Sequence, residues 1–451
     1  MLNALHKFRT FRKGGIHPPE NKLTAGDTIE QMPMPDMCIV PLSQHIGAAA
    51  DCCVAVGDHV ARYQLIAKGH GFVSANVHSP ISGVVKKIEM QKNALGFDTK
   101  VVVIQREGDD VMPLKEHTAE EVEALTAEDI LNIIDEAGIV GLGGATFPTR
   151  VKLTPPKNMP VDTLVINGAE CEPFLTNDHR LMVERPDEII AGVRLLMRTI
   201  HVKKGIIAIE RNKPDAIKAL KEAAGLEGDV EIATLQVKYP QGGEKQLIDA
   251  VLGRQIPPGG LPASVGVVVQ NVATAYAVWN AVFNGIPLVE RVVTITGLGL
   301  KHTGNFVVQV GTPITDLIKY VGGLPEDTGK VILGGPMMGK AVSNLNASAT
   351  KGMSGVLIVP RKYAERKPVE NCVRCGACVS VCPMGLEPFL LARLSEAADY
   401  DRLEAEHVTD CIECGSCSFI CMSHRPILDY IRMGKTRTIA IIKARNMVNK
   451  Q

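Results

Sequence analysis

Cys372-Val-Arg-Cys375-Gly-Ala-Cys378-Val-Ser-Val-Cys382-Pro383 and Cys411-Ile-Glu-Cys414-Gly-Ser-Cys417-Ser-Phe-Ile-Cys421 repeat one spacing, C-x2-C-x2-C-x3-C. That spacing is the ligand pattern of a pair of [4Fe–4S] clusters. Three cysteines in a tight turn reach three irons of one cubane, and the fourth, a helical turn later, crosses to the other. Cys372, Cys375, Cys378 and Cys421 are therefore expected to hold one cluster. Cys382, Cys411, Cys414 and Cys417 are expected to hold the second. Zinc would ask for two pairs across a longer gap. Disulfides would ask for an oxidising compartment, and the sequence opens without a signal-peptide pattern. Met422 stands where the first run has Pro383.

Outward from this stretch, 451 residues exceed one core and predict roughly two to four domains. Lysine plus arginine (49) balances aspartate plus glutamate (49), which argues against a nucleic-acid binder. Eight of the 12 cysteines lie in the two runs; Cys38, Cys52, Cys53 and Cys171 are scattered and read as reduced thiols in a cytosolic protein. No apolar run reaches the ~20 residues a membrane span needs. The best, residues 265–278, is broken by Gln270, Asn271 and Thr274.

The expected architecture is multidomain, α/β plus β. Residues 1–110 form an arm and an all-β module. In the arm, His6, Lys7, Arg9, Arg12 and Lys13 mingle with Leu5, Phe8 and Phe11, which suits a membrane surface or acidic partner, or a solvated terminus. The units Val56–Ala67 and His78–Val85 resemble a barrel-sandwich hybrid of the biotinyl/lipoyl carrier type; their tip, Lys68-Gly-His-Gly71, lacks the carrier's flanking residues, so the module is expected to be unmodified. Residues 118–288 alternate strands (Thr163–Ile166, Lys204–Ile209) with helices (Pro186–Thr199, Pro214–Ala224), giving a largely parallel sheet. Residues 289–358 read as a small β-grasp domain. Residues 362–434 form the helical two-cluster domain, with helices over Glu387–Ala398 and Ile427–Met433. Lys435, Arg437, Lys443, Arg445 and Lys450 mark a basic tail over 435–451.

Four loops of the α/β unit carry candidate chemistry. Gly138-Ile-Val-Gly141-Leu-Gly143-Gly144-Ala145-Thr146-Phe147, followed by Lys152, brings backbone N–H groups and a cation to one place. Asn167, Glu170 and Glu172 follow an apolar strand, where open α/β sheets bind ligands. Tyr239, Gly242 and Glu244 offer an aromatic face, a turn and a carboxylate; Asn271 and Thr274 follow another apolar strand. Each alone is compatible with a cap or turn. Four in one unit point to a cofactor site.

These loops resemble the FMN- and NADH-binding subunits of respiratory complex I. With Gly14-Gly-Ile-His-Pro-Pro-Glu20, the β module and the cysteine runs in the same order, nearly the whole chain is similar to the RnfC subunits of Rnf complexes, the membrane ferredoxin:NAD⁺ oxidoreductases. The resemblance implies that Gly141, Gly143 and Gly144 line FMN and that Lys152 neutralises charge. It implies that Asn167, Glu170, Asn271 and Thr274 hydrogen-bond the flavin, and that Gly242 belongs to the same cofactor site. Phe147 and Tyr239 would stack on the nucleotide, and Glu172 and Glu244 would reach NADH hydroxyls or amide. Ala169 and Gly243 depart from the complex I pattern, which carries acidic residues there. Residues from about 291 resemble the soluble-ligand-binding β-grasp (SLBB) module.

The implied activity is hydride exchange between NAD(H) and non-covalent FMN, then single-electron passage through two [4Fe–4S] clusters. No catalytic acid or base is needed. The implied partners are a ferredoxin-like iron–sulfur subunit and integral membrane subunits, with ferredoxin reached indirectly, at the cytoplasmic face of the cell membrane. Two other readings share the cysteine runs: a soluble flavin/iron–sulfur reductase of the cobalamin-reductase kind, and a flavin-less two-cluster relay.

Overall fold

The computed structural model describes residues 9–448. The central unit is a four-stranded, all-parallel sheet in the spatial order Val230–Leu235, Gly205–Glu210, Thr163–Gly168, Val267–Asn271. Alternation along these strands feeds two cores. Leu164 and Ile166 pack beneath the helices Asn177–Glu184, Pro186–Thr199 and Val272–Asn284, while Val165 faces the opposite core with Ile206, Ala208, Leu247 and Ile248. The chain runs outward from Thr163–Gly168 to Val230–Leu235, then returns to the other side of Thr163–Gly168. That reversal is the topological switch point where such sheets bind ligands. Asn167 and Asn271 sit in register at the carboxyl ends of the two strands flanking it.

The first β module has a four-stranded antiparallel sheet (Met37–Pro41, Asp98–Arg106, Gly83–Lys92, His59–Val60) facing a three-stranded one (Asp51–Cys52, Leu65–Lys68, Val77–His78). Cys38, Val40, Ile66, Ile81, Val102 and Ile104 fill the space between. The β-grasp domain is a six-stranded mixed sheet centred on Glu290–Gly297, with helix Ile314–Tyr320 packed through Leu317 and Ile318.

Two expectations are corrected. The arm is not a frayed basic tail from Arg9 onward; residues 1–8, with Leu5, His6, Lys7 and Phe8, lie outside the described residues. Phe11 is 2% exposed in the core beside Val165 and Leu235. Arg12 clamps Asp249, and Arg9 pairs with Glu231. The arm's next stretch, Ile29–Gln31, leaves the first module and pairs in parallel with Gly304–Gln309 of the β-grasp sheet. The helix expected to end near Met433 instead runs Ile427–Val448. Gly434 does not stop it. A Cβ there would lie 2.1 Å from Ser395 Oγ, so glycine serves close approach to helix Pro388–Glu396. Lys435 belongs to this helix and donates to the Cys411 carbonyl (2.7 Å). Among the described residues no helix is long and apolar enough to cross a membrane.

Candidate functional site

The glycine-rich loop closes on itself. Gly141 N–H donates to the Phe147 carbonyl (2.8 Å), and residues 140 and 148 form an antiparallel bridge. Its tip, Gly143, Gly144 and Ala145, is exposed over the switch point. A Cβ on Gly143 would collide with the Asn271 side chain (2.5 Å), whereas one on Gly144 would meet nothing within 4 Å. The loop thus presents bare backbone beside an open space, the arrangement a flavin phosphate or ring requires. Leu142 N–H donates to Thr274 Oγ1 (3.0 Å), so Thr274 anchors the loop. Asn271 caps helix Val272–Asn284 through Oδ1 and donates from Nδ2 to Asp178 (2.7 Å). Asn167 donates to the Gly242 carbonyl (2.9 Å). Lys152 and Glu244 form an ion pair of 2.6 Å across the site, with Glu244 opening helix Glu244–Leu252.

Three expected nucleotide contacts face elsewhere. Glu170 accepts from the N–H groups of Asp178 (2.7 Å) and His179 (3.3 Å), the first turn of the helix that follows. Glu172 accepts from the N–H groups of Met337 (3.0 Å) and Met338 (2.7 Å), tying the switch-point loop to the β-grasp domain. Burial holds the Glu172 carboxyl above the ordinary carboxylate range. Tyr239 offers no open ring face: it is 2% exposed, packed with Ile16 and Cys414. Its hydroxyl donates to the Cys414 carbonyl (2.8 Å) and lies 3.3 Å from Glu172. Each of these partners sits on another element, so spacing alone does not disclose them.

Sequence reasoning also missed Asp178, whose carboxyl is pushed up to about 7 by burial and by the nearby Glu170 charge. It missed Lys22, whose ammonium donates to the carbonyls of Glu170 (2.8 Å), Glu172 (2.9 Å) and Leu175 (2.6 Å). A basic residue in a polar arm gives no signal of such burial. Cys171 is an inert thiol, raised to about 12 by burial, that accepts from Gly242 N–H (3.3 Å).

The cysteine runs fold as two short pseudo-symmetric turns, each opening a one-turn helix after a left-handed glycine, Gly376 and Gly415. Cys382, Cys411, Cys414 and Cys417 ring one cavity walled by Leu386, Leu391, Leu428 and Ile431. The first run's last cysteine thus meets the second run's first three. On the other side, Cys378 lies close enough to Cys421 and Cys372 for their charges to interact. Burial pushes the Cys411 thiol up to about 11 and Cys417 higher still. A buried thiolate needs a cation, and cluster iron supplies one. An apolar pocket ringed by four sulfurs fits that group.

Four family models match successive stretches of the chain. Residues 10–109 match the RnfC barrel sandwich hybrid domain, 134–280 the Nuo51 FMN-binding domain, 292–341 the SLBB domain and 363–422 the 4Fe-4S dicluster domain. A crystal structure of NAD⁺-reducing [NiFe]-hydrogenase is similar at 20% identity with a TM-score of 0.49, over 70% of this chain and 65% of that one. The RnfC-type subunit of the Na(+)-translocating ferredoxin:NAD(+) oxidoreductase complex of Acetobacterium woodii is 42% identical over 96% of this chain and 98% of its own length. Its counterpart in the proton-translocating complex of Clostridium ljungdahlii is 45% identical over 96% of this chain and 94% of its own. The chain belongs to the RnfC family of ion-translocating ferredoxin:NAD⁺ oxidoreductase complexes.

Proposed function

We propose that this chain is the peripheral electron-input and electron-output subunit of such a complex, exchanging hydride between NAD(H) and FMN and passing single electrons through two [4Fe–4S] clusters. One observation carries the reading. Tyr239 joins the switch-point loops to the cysteine cavity by a single hydroxyl, 2.8 Å from the Cys414 carbonyl and 3.3 Å from Glu172. The loops that would hold the flavin and the buried cysteine ring are thereby kept side by side.

Bound FMN converts a two-electron hydride into single electrons, and the clusters relay those electrons. The chain's own residues position these groups. Gly141, Gly143, Gly144 and Gly242 leave backbone room for the flavin. Lys152, paired with Glu244, places positive charge where a phosphate or reduced ring gathers negative charge. Asn167, Asn271 and Thr274 fix the strand ends and the loop, and Phe147 supplies the half-buried aromatic at the loop's exit. Glu170, Glu172 and Tyr239 act one layer back, holding the loop that carries them. For the clusters we assign Cys372, Cys375, Cys378 and Cys421 to one, and Cys382, Cys411, Cys414 and Cys417 to the other.

We place the working units at residues 1–110, 118–288, 289–358 and 362–434, with 435–451 as a tail that is helical as far as Val448. We assign the exposed cluster's face to a ferredoxin-like iron–sulfur subunit, ion movement to the complex's integral membrane subunits, and this chain to the cytoplasmic face of the cell membrane. The relatives named for H⁺ and for Na⁺ match this chain at 45% and 42% identity, which supports placing ion choice on other subunits.

The test is anaerobic purification of the chain, quantitation of iron, sulfide and flavin, and an NADH-reduction spectrum. About eight irons, one flavin and NADH-driven bleaching of both chromophores are expected. Eight irons with no flavin and no response to NADH would overturn the hydride site and leave a two-cluster relay.

A further inference from the structure

Gly14-Gly15-Ile16-His17-Pro18-Pro19-Glu20 and Lys22 have no part in the chemistry above, yet they touch the inner ligand turn, Tyr239 and the loop after strand Thr163–Gly168. At the cluster end, Gly15 N–H donates to the Val381 carbonyl (2.9 Å). A Cβ on Gly14 would lie 2.5 Å from the carbonyl oxygen of Cys382, and its φ of +67° is one L side chains resist. Lys13 lies over Gly385 of the same turn. In the middle, Ile16 and Tyr239 exchange two backbone hydrogen bonds of 2.9 Å, which seats the tyrosine that reaches Cys414. His17 Nδ1 lies 3.0 Å from the Val237 carbonyl. At the flavin end, the Glu20 carbonyl accepts from Phe174 N–H (2.9 Å), and Lys22 binds three carbonyls of the loop 170–175.

We propose that residues 14–22 are a strap that sets the gap between the flavin site and the buried cluster. Its glycines and Lys22 are positioning residues. The strap touches the ligand turn at Val381 and Cys382, the bridging Tyr239 and the loop 170–175 that continues from the strand end carrying Asn167, so its length and fit fix their separation. Electron transfer between two bound groups falls off exponentially with their separation, so a change in the strap's fit is expected to slow it by a few-fold.

This inference rests on the flavin-to-cluster reading, so the test starts from the flavin without NADH. In the anaerobically purified full chain, with a sacrificial tertiary-amine donor in the buffer to supply the electrons, the flavin is photoreduced by a flash, and the decay of its reduced spectrum is followed against bleaching of the iron–sulfur absorbance. Gly14→Ala is expected to keep about eight irons and unmodified FMN affinity, while transfer to the clusters slows several-fold. Lys22→Met is expected to show the reverse: iron content kept, FMN affinity reduced about tenfold or more, by loss of one cation from three carbonyls. Should Gly14→Ala lose iron, Gly15→Ala carries the same measurement, because its Cβ would meet Lys238 and Phe11 side chains instead of the ligand turn. Transfer at the unmodified rate in an iron-replete glycine variant would overturn the strap, as would equal loss of FMN affinity in all three variants. Failure of NADH to reduce the unmodified protein would instead count against the hydride site, and the flash measurement would still decide the strap.

Discussion

The two cysteine quartets share one motif and occupy opposite environments. In the inner quartet, Cys382, Cys414 and Cys417 are all 7–8% exposed, walled by leucines and reached by Tyr239 and Lys435. In the outer quartet, Cys372 and Cys375 are exposed, and so are Val373 (62%), Phe419 (48%) and Met422 (68%), which lie beside its ligands Cys372 and Cys421 in sequence. Identical spacing therefore specifies only ligation. Burial decides what each cluster does: a reduced cluster carries an extra negative charge, which a low-dielectric pocket disfavours. The inner cluster is accordingly expected at the lower potential, with the outer one placed to exchange electrons with a partner.

The sharpest way to break this contrast is to remove one ligand from each side. Cys414→Ala is expected to lose about four irons and all NADH-driven reduction of an added acceptor. Cys375→Ala is expected to lose the same iron while NADH still bleaches the remaining cluster. A redox titration should show that Cys414→Ala removes the lower of two midpoints; loss of the higher one would reverse the assignment.

A smaller contrast comes from two tyrosines. Tyr239→Phe leaves the Cys414 carbonyl without its donor in a buried site and is expected to cost about 1–3 kcal/mol. Tyr363→Phe, on an exposed ring in the segment leading to the outer quartet, is expected to stay within about 0.5 kcal/mol. Denaturant midpoints of the loaded protein compare them directly. Equal effects would show that the inner side is no more tightly built than the outer.

The pH dependence sharpens the same point. Burial raises the folded Glu172 carboxyl above its unfolded value, so in that window the folded chain retains a proton the unfolded chain has lost. Stability therefore falls as pH rises through the window. Glu172→Gln should flatten that slope; an unchanged slope would assign it to other groups. The smallest effect is expected for Met422→Pro, which restores the proline of the first run at an exposed position. Its iron content should match the unmodified chain, and its thermal midpoint should move by no more than about 0.5 kcal/mol of stability implies.

The layering of the α/β unit was legible in the sequence and crossed ligation was expected from it, but which quartet lies buried was not. Crossed ligation follows from how far a cysteine one helical turn beyond its turn can reach, and the alternation of strands such as Thr163–Gly168 with helices such as Pro186–Thr199 gives the parallel sheet its layers. The strand-end loops were legible because Asn167, Asn271 and the glycines each follow a strand or open a turn. The hidden part consists of long-range partners. Tyr239 reads as an exposed aromatic in a glycine turn until Cys414 is placed beside it. Glu172 reads as a free carboxylate until Met337 and Met338 turn their N–H groups toward it. Arg12 reads as solvated until Asp249, 237 residues later, arrives. Gly434 has the look of a stop because composition does not show the neighbouring helix against which a side chain would clash.

The arm also imposes an order on synthesis. The ribosome makes residues 9–22 well before their partners, since Tyr239, Asp249 and the turn at Cys382 emerge much later. Closing loops of that length is slow compared with local helix and turn formation. This stretch is thus made long before it can be seated. Until it docks, Phe11 is without its core and the Cys382 turn is without its cover. The cover over the Cys382 turn can therefore form only after that turn is made, whatever else of the chain has already folded.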